Sequence, residues 1–410
     1  MQIFYEFNIL KISQKIKFLG KLFAKTSGFI ISKFLSYILL LNKLVIVIIR
    51  EDRIGHQIGT LDCELYIAIE RKNKNNINTI FVFIEPLENI ANKHFRKITG
   101  GIVNSFDFNY YIFNVHSKKN LLSKFIKEYI PSNKRFYYSS ETLSPRPKRS
   151  LLNEANTGDE ILKKLNLKKE KYICIYSRDS YYLKERFKDI NWDYHNYRNS
   201  DINNLRLLAD YASRELNLEV VRVGSNPEKR LNWVRNKFPK IIDYSFSKNL
   251  NDKNDIDLIT SCCFYLNNGG GPENIAIASR RKMIRINQIP LIEEIGYEFG
   301  IYIPKLLKRF SDKEYISIRE AINLGISKSY DYRKFNQLGI YCEENDEIDV
   351  LNSFKDYLKL QKNEFNENEK LAIQKYRILR KENESKGLIK QECNNFIAPS
   401  FLLRYPRLLD

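Results

Sequence analysis

Residues 44–138 alternate short apolar runs with helical stripes. Leu44–Ile49 is a continuous, largely β-branched run, the pattern of a strand buried on both faces. Thr79–Ile84 reads as a second strand, Tyr110–Val115 as a third and Arg135–Tyr138 as a further one. Between them, Ile58, Leu61, Leu65 and Ile69 recur at helical spacing, and Leu121, Leu122, Phe125, Ile126 and Tyr129 make a second helical stripe. Strands alternating with helices predict a parallel α/β domain over 44–138.

Ser139–Asn156, with Pro145 and Pro147, has turn and charge composition, so 139–160 reads as a linker. A second α/β series fills 161–345. Its predicted strands are Tyr172–Tyr176, Leu218–Val223, Lys240–Tyr244, Cys262–Leu266 and Lys282–Asn287. Its predicted helices are Asn203–Leu216, Leu231–Phe238, Asp252–Ser261 and Pro272–Arg280, with a long loop over Ser177–Asp201. Residues 346–410 hold two late helices, around Val350–Tyr357 and Leu371–Leu379, and a tail. The fold class predicted is α/β with two Rossmann-like domains.

Residues 1–43 follow another pattern. Ile9, Ile12, Ile16, Leu19 and Phe23 form a helical stripe interleaved with Lys11, Lys15, Lys17, Lys21 and Lys25. A basic amphipathic helix of this kind lies on an anionic membrane surface or packs as an arm on the protein body. Lys33 divides the apolar stretch that follows, so no run reaches the length of a spanning helix. The expected location is cytoplasmic, peripheral on the inner face of the membrane.

The net charge of +19 in 410 residues calls for an anionic partner such as nucleic acid, acidic lipid or a phosphorylated substrate. Lys, Asn and Ile are plentiful throughout, the drift of an AT-rich coding sequence, so the placement of charge says more than its sum. No zinc module or nucleic-acid motif is present, and the charge clusters on the apolar N-terminal segment; nucleic acid is not an expected partner. Neither a P-loop nor a Gly-x-Gly-x-x-Gly follows Leu44–Ile49, which counts against ATP and dinucleotide chemistry. The six cysteines show no CxxC pair, and the four histidines are scattered. Asp255 and Asp257 match a loose Asp-x-Asp pattern but read as capping and solvation at a helix start, so no metal is expected.

Ligands of open parallel sheets bind outside the carboxyl ends of the strands. Asn267-Asn-Gly-Gly-Gly-Pro-Glu273 stands there, after a strand and before a helix. Gly269, Gly270 and Gly271 allow close approach of a phosphate, Pro272 suits a first helical turn, and the helix start favours an anion. Glu273 suits the positive helix end or can accept a ribose hydroxyl. Arg178 and Arg222, at or just past strand ends, can grip phosphate in bidentate fashion; for Arg222 a structural ion pair is the competing reading. Asp179 orients Arg178 or its loop. Tyr244 sits at a strand end where a base ring could rest. In the loop to 201, Tyr181, Tyr182, Trp192, Tyr194, His195 and Tyr197 suit sugar rings or simply fasten the loop, and Ser200 or Asp201 caps the next helix. In the first domain, Arg53-Ile-Gly-His56 lies in a strand-to-helix loop, and His56 is the candidate general base, with Asp52, Asp62 or Glu64 as its assistants or replacements.

Arg178-Asp-Ser180, the Tyr194-His-Asn-Tyr-Arg-Asn-Ser200 stretch, Ile54-Gly-His56 and the closing Pro399-Ser-Phe401 … Leu408-Leu409 resemble a family of poorly characterised bacterial glycosyltransferases. The resemblance spans roughly 44–410. It implies the B-type architecture, two Rossmann-like domains facing a crevice, with a nucleoside-diphosphate sugar as donor and no cofactor besides it. The acceptor implied is a cell-surface glycan or a lipid-linked glycan precursor. Where a related turn reads Ser-Gly-x-Gly, this chain has Asn268-Gly-Gly-Gly271. A nucleotide-dependent enzyme of epimerase type is the first alternative, and a basic nucleic-acid-binding protein is the second.

Overall fold

The computed structural model describes residues 159–410 except 187, 190, 226, 280, 292–299, 328, 330–331 and 386–394. In the first half it describes 44–50, 78–84, 92, 94, 102–103 and 126–129. The chain divides into two units, Met1–His56 with Glu64–Phe136, and Gln57–Cys63 with Tyr137–Asp410. The expected start of the linker, residue 139, lies close to this division. The helices after 346 belong to the second unit.

In the first unit, β1 (Leu44–Arg50), β2 (Asn78–Ile84), β3 (Ile102–Val103) and β4 (Ile126–Tyr129) form a parallel sheet in the order β3-β2-β1-β4. The first two strands are those expected. The stripe through Phe125 and Tyr129 is corrected: Ile126–Tyr129 is a strand paired with Ile46–Ile49. A short segment such as Ile126-Lys-Glu-Tyr129 fits either element, and pairing with a central strand decides it. The strands expected at 110–115 and 135–138, the helix at 58–69, residues 1–43, linker residues 139–158 and His56 lie outside the described residues; the linker's last two residues, 159 and 160, open a helix.

The second unit is built on a seven-stranded sheet of order β13-β10-β9-β8-β5-β6-β7. Its members are β5 (Tyr172–Ile175), β6 (Glu219–Arg222), β7 (Ile241–Asp243), β8 (Phe264–Asn267), β9 (Met283–Gln288), β10 (Ile301–Pro304) and β13 (Phe396–Ile397). Every neighbouring pair is parallel. Every residue of β5, β6, β8, β9 and β10 is buried, as strands covered on both faces should be, including the polar Glu219 and Arg222 of β6 and Arg285, Asn287 and Gln288 of β9. A small antiparallel pair, β11 (Leu306–Arg309) and β12 (Ile340–Glu343), stands apart.

The helices that matter to the site are α1 (Asp159–Leu165), α2 (Tyr181–Arg186), α3 (Arg206–Arg214), α4 (Asp252–Ser261) and α5 (Gly271–Ala278). Helix α4 starts where Asn251 accepts the Asn254 amide, a side-chain cap. Asp201 does the same for Asn203 at the 3₁₀ turn Ile202–Leu205 that leads into α3. The helix expected over Leu231–Phe238 is absent. Arg235 and Ile241 exchange backbone hydrogen bonds at 3.0 and 2.8 Å, the Leu231 amide donates to Asp243, and Phe238 is 63% exposed. Bridging to the β7 edge takes the backbone groups that a helix would need. The expected loop 177–201 is partly helical, with α2 and a 3₁₀ turn at Asp193–Arg198.

Candidate functional site

From β5 the chain steps outward to β6 and β7, then returns to the other side of β5 as β8. The sheet therefore reverses direction between β5 and β8, the place where doubly wound sheets keep their ligands. Tyr176-Ser-Arg178 leaves β5 there, and Asn267-Asn-Gly-Gly-Gly271 leaves β8 beside it. Backbone pairing continues as far as Tyr176, whose amide donates to Leu266 at 2.9 Å. One step on, side chains take over. The Arg178 amide donates to Asn268 Oδ1 at 2.8 Å, and Asn268 Nδ2 donates to the Arg198 carbonyl at 3.1 Å. Asn267 Oδ1 accepts the Gly269 amide at 2.8 Å.

Two glycines are dictated by the ring of Tyr176. Gly270 has φ +145°, and a Cβ there would stand 3.0 Å from the ring; at Gly224, after β6, φ is +108° and the distance would be 2.7 Å. The ring is thus wedged between the turns that follow β6 and β8, and burial pushes its phenol up to about 12. Gly269 also has a positive φ, and Gly271 opens α5, so the positive end of that helix adjoins the turn.

Arg178 is buried, 7% exposed. Its Nη1 donates to the His195 carbonyl at 3.3 Å and to Asn199 Oδ1. Burial, reinforced by the nearby charge of Arg198, pulls its pKa down to about 10, so it remains a cation at neutral pH. Lys305, just after β10, is 2% exposed and donates to the Asn199 carbonyl at 2.5 Å. Burial lowers its pKa and Arg178 lowers it further, while Glu344, 3.7 Å away, opposes both. Arg178, Arg198 and Lys305 thus gather around Asn199, with Glu344 as the paired carboxylate. Such a surplus of partly desolvated positive charge suits a multiply charged anion.

The stretch 194–200 is fastened on both sides. Ser177 Oγ donates to the Ser200 carbonyl at 2.6 Å, and Ser200 Oγ accepts from Asn287 Nδ2 at 2.8 Å. Asn287 and Asn345 exchange amide-to-side-chain hydrogen bonds of 2.6 and 2.7 Å, both buried. The Asp201 amide donates to Glu344 at 2.8 Å. Lys305, Asn287 and Asn345 are additions to the expected residues, and they reach this loop from the end of β10, from β9 and from just past β12, segments far from it along the chain. Burial, then Arg198 and Arg178, pull His195 down to about 4, so its imidazole is neutral at physiological pH.

Several candidates have other partners. Arg222 is buried and forms the ion pair of its competing reading, with Asp243 at 3.6 Å, and donates to the Lys229 carbonyl at 2.6 Å. Tyr244 is fully buried, its hydroxyl donating to the Asn249 carbonyl and accepting the Asn251 amide. It offers no open ring to a base. Glu273 Oε1 pairs with Arg285 at 2.6 Å, both side chains buried, which ties α5 to β9, while its Oε2 lies 3.9 Å from where a Cβ on Gly269 would stand. Asp179 accepts the Tyr181 and Glu228 amides, each at 3.0 Å, and so orients its loop rather than Arg178. Asp255 and Asp257 are the fourth and sixth residues of α4, which Asn251 caps, and both are buried rather than solvated. Burial, with the charge of Asp252 adding to it, pushes Asp255 up to about 7. Among the described residues, no three His, Cys, Asp or Glu side chains are grouped to hold a metal.

The structure is similar to E. coli heptosyltransferase WaaC with ADP-2-deoxy-2-fluoro heptose, at 12% identity and a TM-score of 0.32 over 59% of this chain and 88% of that one. It is similar to a glycosyl transferase family 9 protein from Veillonella parvula, at 10% identity and a TM-score of 0.38 over 72% and 96%. The UDP-GlcNAc 2-epimerase of Neisseria meningitidis bound to UDP-GlcNAc matches at 10% identity and a TM-score of 0.32 over 60% and 82%. At such scores none of the three bears on the reaction. No family model matches the chain, and no curated protein matches it.

Proposed function

We propose that this protein is a glycosyltransferase, moving a sugar from a nucleoside-diphosphate sugar to a glycan or lipid-linked acceptor. The observation that carries the reading is the meeting of Arg178 with the Gly269–Gly271 turn at the point where the sheet reverses, the two joined through Asn268. The diphosphate lies on the turn, against the positive end of α5. In the transfer step the bond from the anomeric carbon to the diphosphate oxygen breaks as the acceptor oxygen bonds to that carbon. Negative charge grows on the leaving diphosphate, and Arg178, Arg198 and Lys305 stabilise it from fixed positions. Protein cations supply the stabilisation that a metal gives elsewhere, so the reading needs no metal. The acceptor's proton goes to a base, for which His56, in the first unit, is the candidate.

The basic segment 1–43 is proposed to rest on an anionic membrane surface, where lipid-linked acceptors are found. Among the described residues no helix is long and apolar enough to cross a membrane.

A thermal-shift screen with UDP, GDP, CDP, dTDP and ADP tests the reading. A ligand that binds only the folded state stabilises it by about 2.7 kcal/mol at a hundredfold excess over Kd. One nucleotide is expected to raise the unfolding temperature of the wild type and to raise that of Arg178→Ala by half as much or less at the same concentration. Silence from all five overturns the reading.

A further inference from the structure

Trp192, Tyr194 and His195 form a ring stack on the 3₁₀ turn Asp193–Arg198. The centroids of Tyr194 and His195 are 4.1 Å apart with 36° between planes, and those of Trp192 and His195 are 6.0 Å apart at 14°. Trp192 is buried, whereas Tyr194 is 41% exposed. The centroids of Trp192 and Tyr194 are 6.1 Å apart at 26°, so Tyr194 packs on both neighbours and is the most exposed ring of the three. The turn beneath is stiff: the His195 amide donates to the Trp192 carbonyl at 2.9 Å, and Asn196 Nδ2 donates to Asp193 at 3.1 Å. It is also tied to the cation cluster, because the carbonyl of His195 receives Arg178 Nη1 at 3.3 Å.

An exposed ring held at a fixed angle costs little to order when a ligand arrives. The group joined to a diphosphate in the proposed donor is a sugar ring, and one face of a hexose is a patch of C–H bonds. These carry slight positive charge and are drawn to the negative face of an aromatic ring. The imidazole behind Tyr194 is uncharged at neutral pH, so the stack presents no cation of its own to compete for the diphosphate.

We propose that Tyr194, backed by His195 and Trp192, is the stacking platform for the sugar ring of the donor. This rests on the transfer reading above and assigns the part of the substrate beyond the phosphates.

The test is isothermal titration of paired ligands, UDP with UDP-glucose, GDP with GDP-mannose, ADP with ADP-glucose, CDP with CDP-glucose or dTDP with dTDP-glucose, chosen by the nucleotide that stabilises the protein. Tyr194→Ala is expected to weaken the sugar nucleotide about three- to tenfold and to leave the free nucleotide unchanged. Tyr194→Phe is expected to match the wild type, since stacking needs the ring and not the hydroxyl. An unchanged unfolding temperature in both variants shows that the fold is intact, as the exposure of Tyr194 leads one to expect. Equal losses for nucleotide and sugar nucleotide place the base on the ring and overturn the proposal, and so does no loss for either. If no nucleotide binds the wild type, the transfer reading falls and takes this inference with it. If nucleotide binds normally, only the platform is at stake.

Discussion

The backbone amide of Arg178 donates to the side-chain carbonyl of Asn268 across 2.8 Å, at the point where β5 and β8 cease to pair through their backbones. The same Asn268 amide group holds the Arg198 carbonyl at 3.1 Å. A single side chain therefore sets three segments in register: the end of β5, the glycine turn and the stretch 194–200. Replacing Asn268 by Ala leaves two polar groups without these partners and is expected to cost about 1–3 kcal/mol. Urea unfolding measures it. A midpoint equal to the wild type would show that the bridge carries no energy.

Arg178→Ala is expected to lower affinity for the stabilising nucleotide about ten- to a hundredfold, the scale of a lost charge-assisted contact. Arg178→Lys should recover only part, because Nη1 is already held by the His195 carbonyl and Asn199, and an ammonium lacks the further guanidinium nitrogens that a planar fork can turn to a phosphate. Gly270→Val should abolish binding and also destabilise, since its Cβ meets the Tyr176 ring in a backbone conformation that favours glycine. Titration calorimetry measures the loss of binding and a thermal melt the loss of stability. Binding that survives both Arg178→Ala and Gly270→Val would move the diphosphate off this turn.

Glu273 and Arg285 are a buried pair, and breaking one member of such a pair strands the other charge. Glu273→Leu alone is expected to cost about 3–5 kcal/mol. The double variant Glu273→Leu with Arg285→Met should regain most of that loss and bind nucleotide as the wild type does. Weak nucleotide binding in the refolded double variant would return Glu273 to a role at the ligand.

Asp255 and His195 act on stability in opposite directions as pH changes. Asp255 has a folded pKa raised from 3.8 to about 7, so the native state holds a proton that the unfolded state has released. Its contribution is full in acid and is lost as pH rises from about 4 to about 7, an upper bound of about 4 kcal/mol. His195 is the reverse: its folded pKa is lowered from 6.5 to about 4, so its contribution is present above 6.5 and fades as pH falls toward 4. Asp255→Asn is therefore expected to gain stability relative to the wild type at pH 8 and to show no such gain at pH 4. Parallel thermal melts across that range decide it, and identical curves for the two proteins would remove Asp255 as a titrating group.

How much of this could be read in the chain depends on the range of the forces involved. Continuous apolar runs and glycine-bearing turns are local properties, so β1, β2, β5, β6, β8 and β9, helix α4 and the Gly269–Gly271 turn were legible from their own residues. A strand buried on both faces needs apolar side chains wherever it sits, and Asn251 caps α4 with groups three residues away. Strand order was not written locally. That β8 lies beside β5, and so brings the glycine turn to Arg178, follows from how the crossovers pack. Electrostatic partners were equally hidden, since Arg222 could equally grip a ligand or pair with Asp243, and Glu273 could face a ribose or Arg285. Only the folded distances of 3.6 and 2.6 Å identify the partners. Ile126–Tyr129 and Leu231–Phe238 show the same limit in the backbone. Their apolar spacing allowed a helix, but a neighbouring strand offered hydrogen bonds that the segment could not offer itself. Lys305 reached the site because β10 pairs beside β9, a relation between segments that no residue near 305 records.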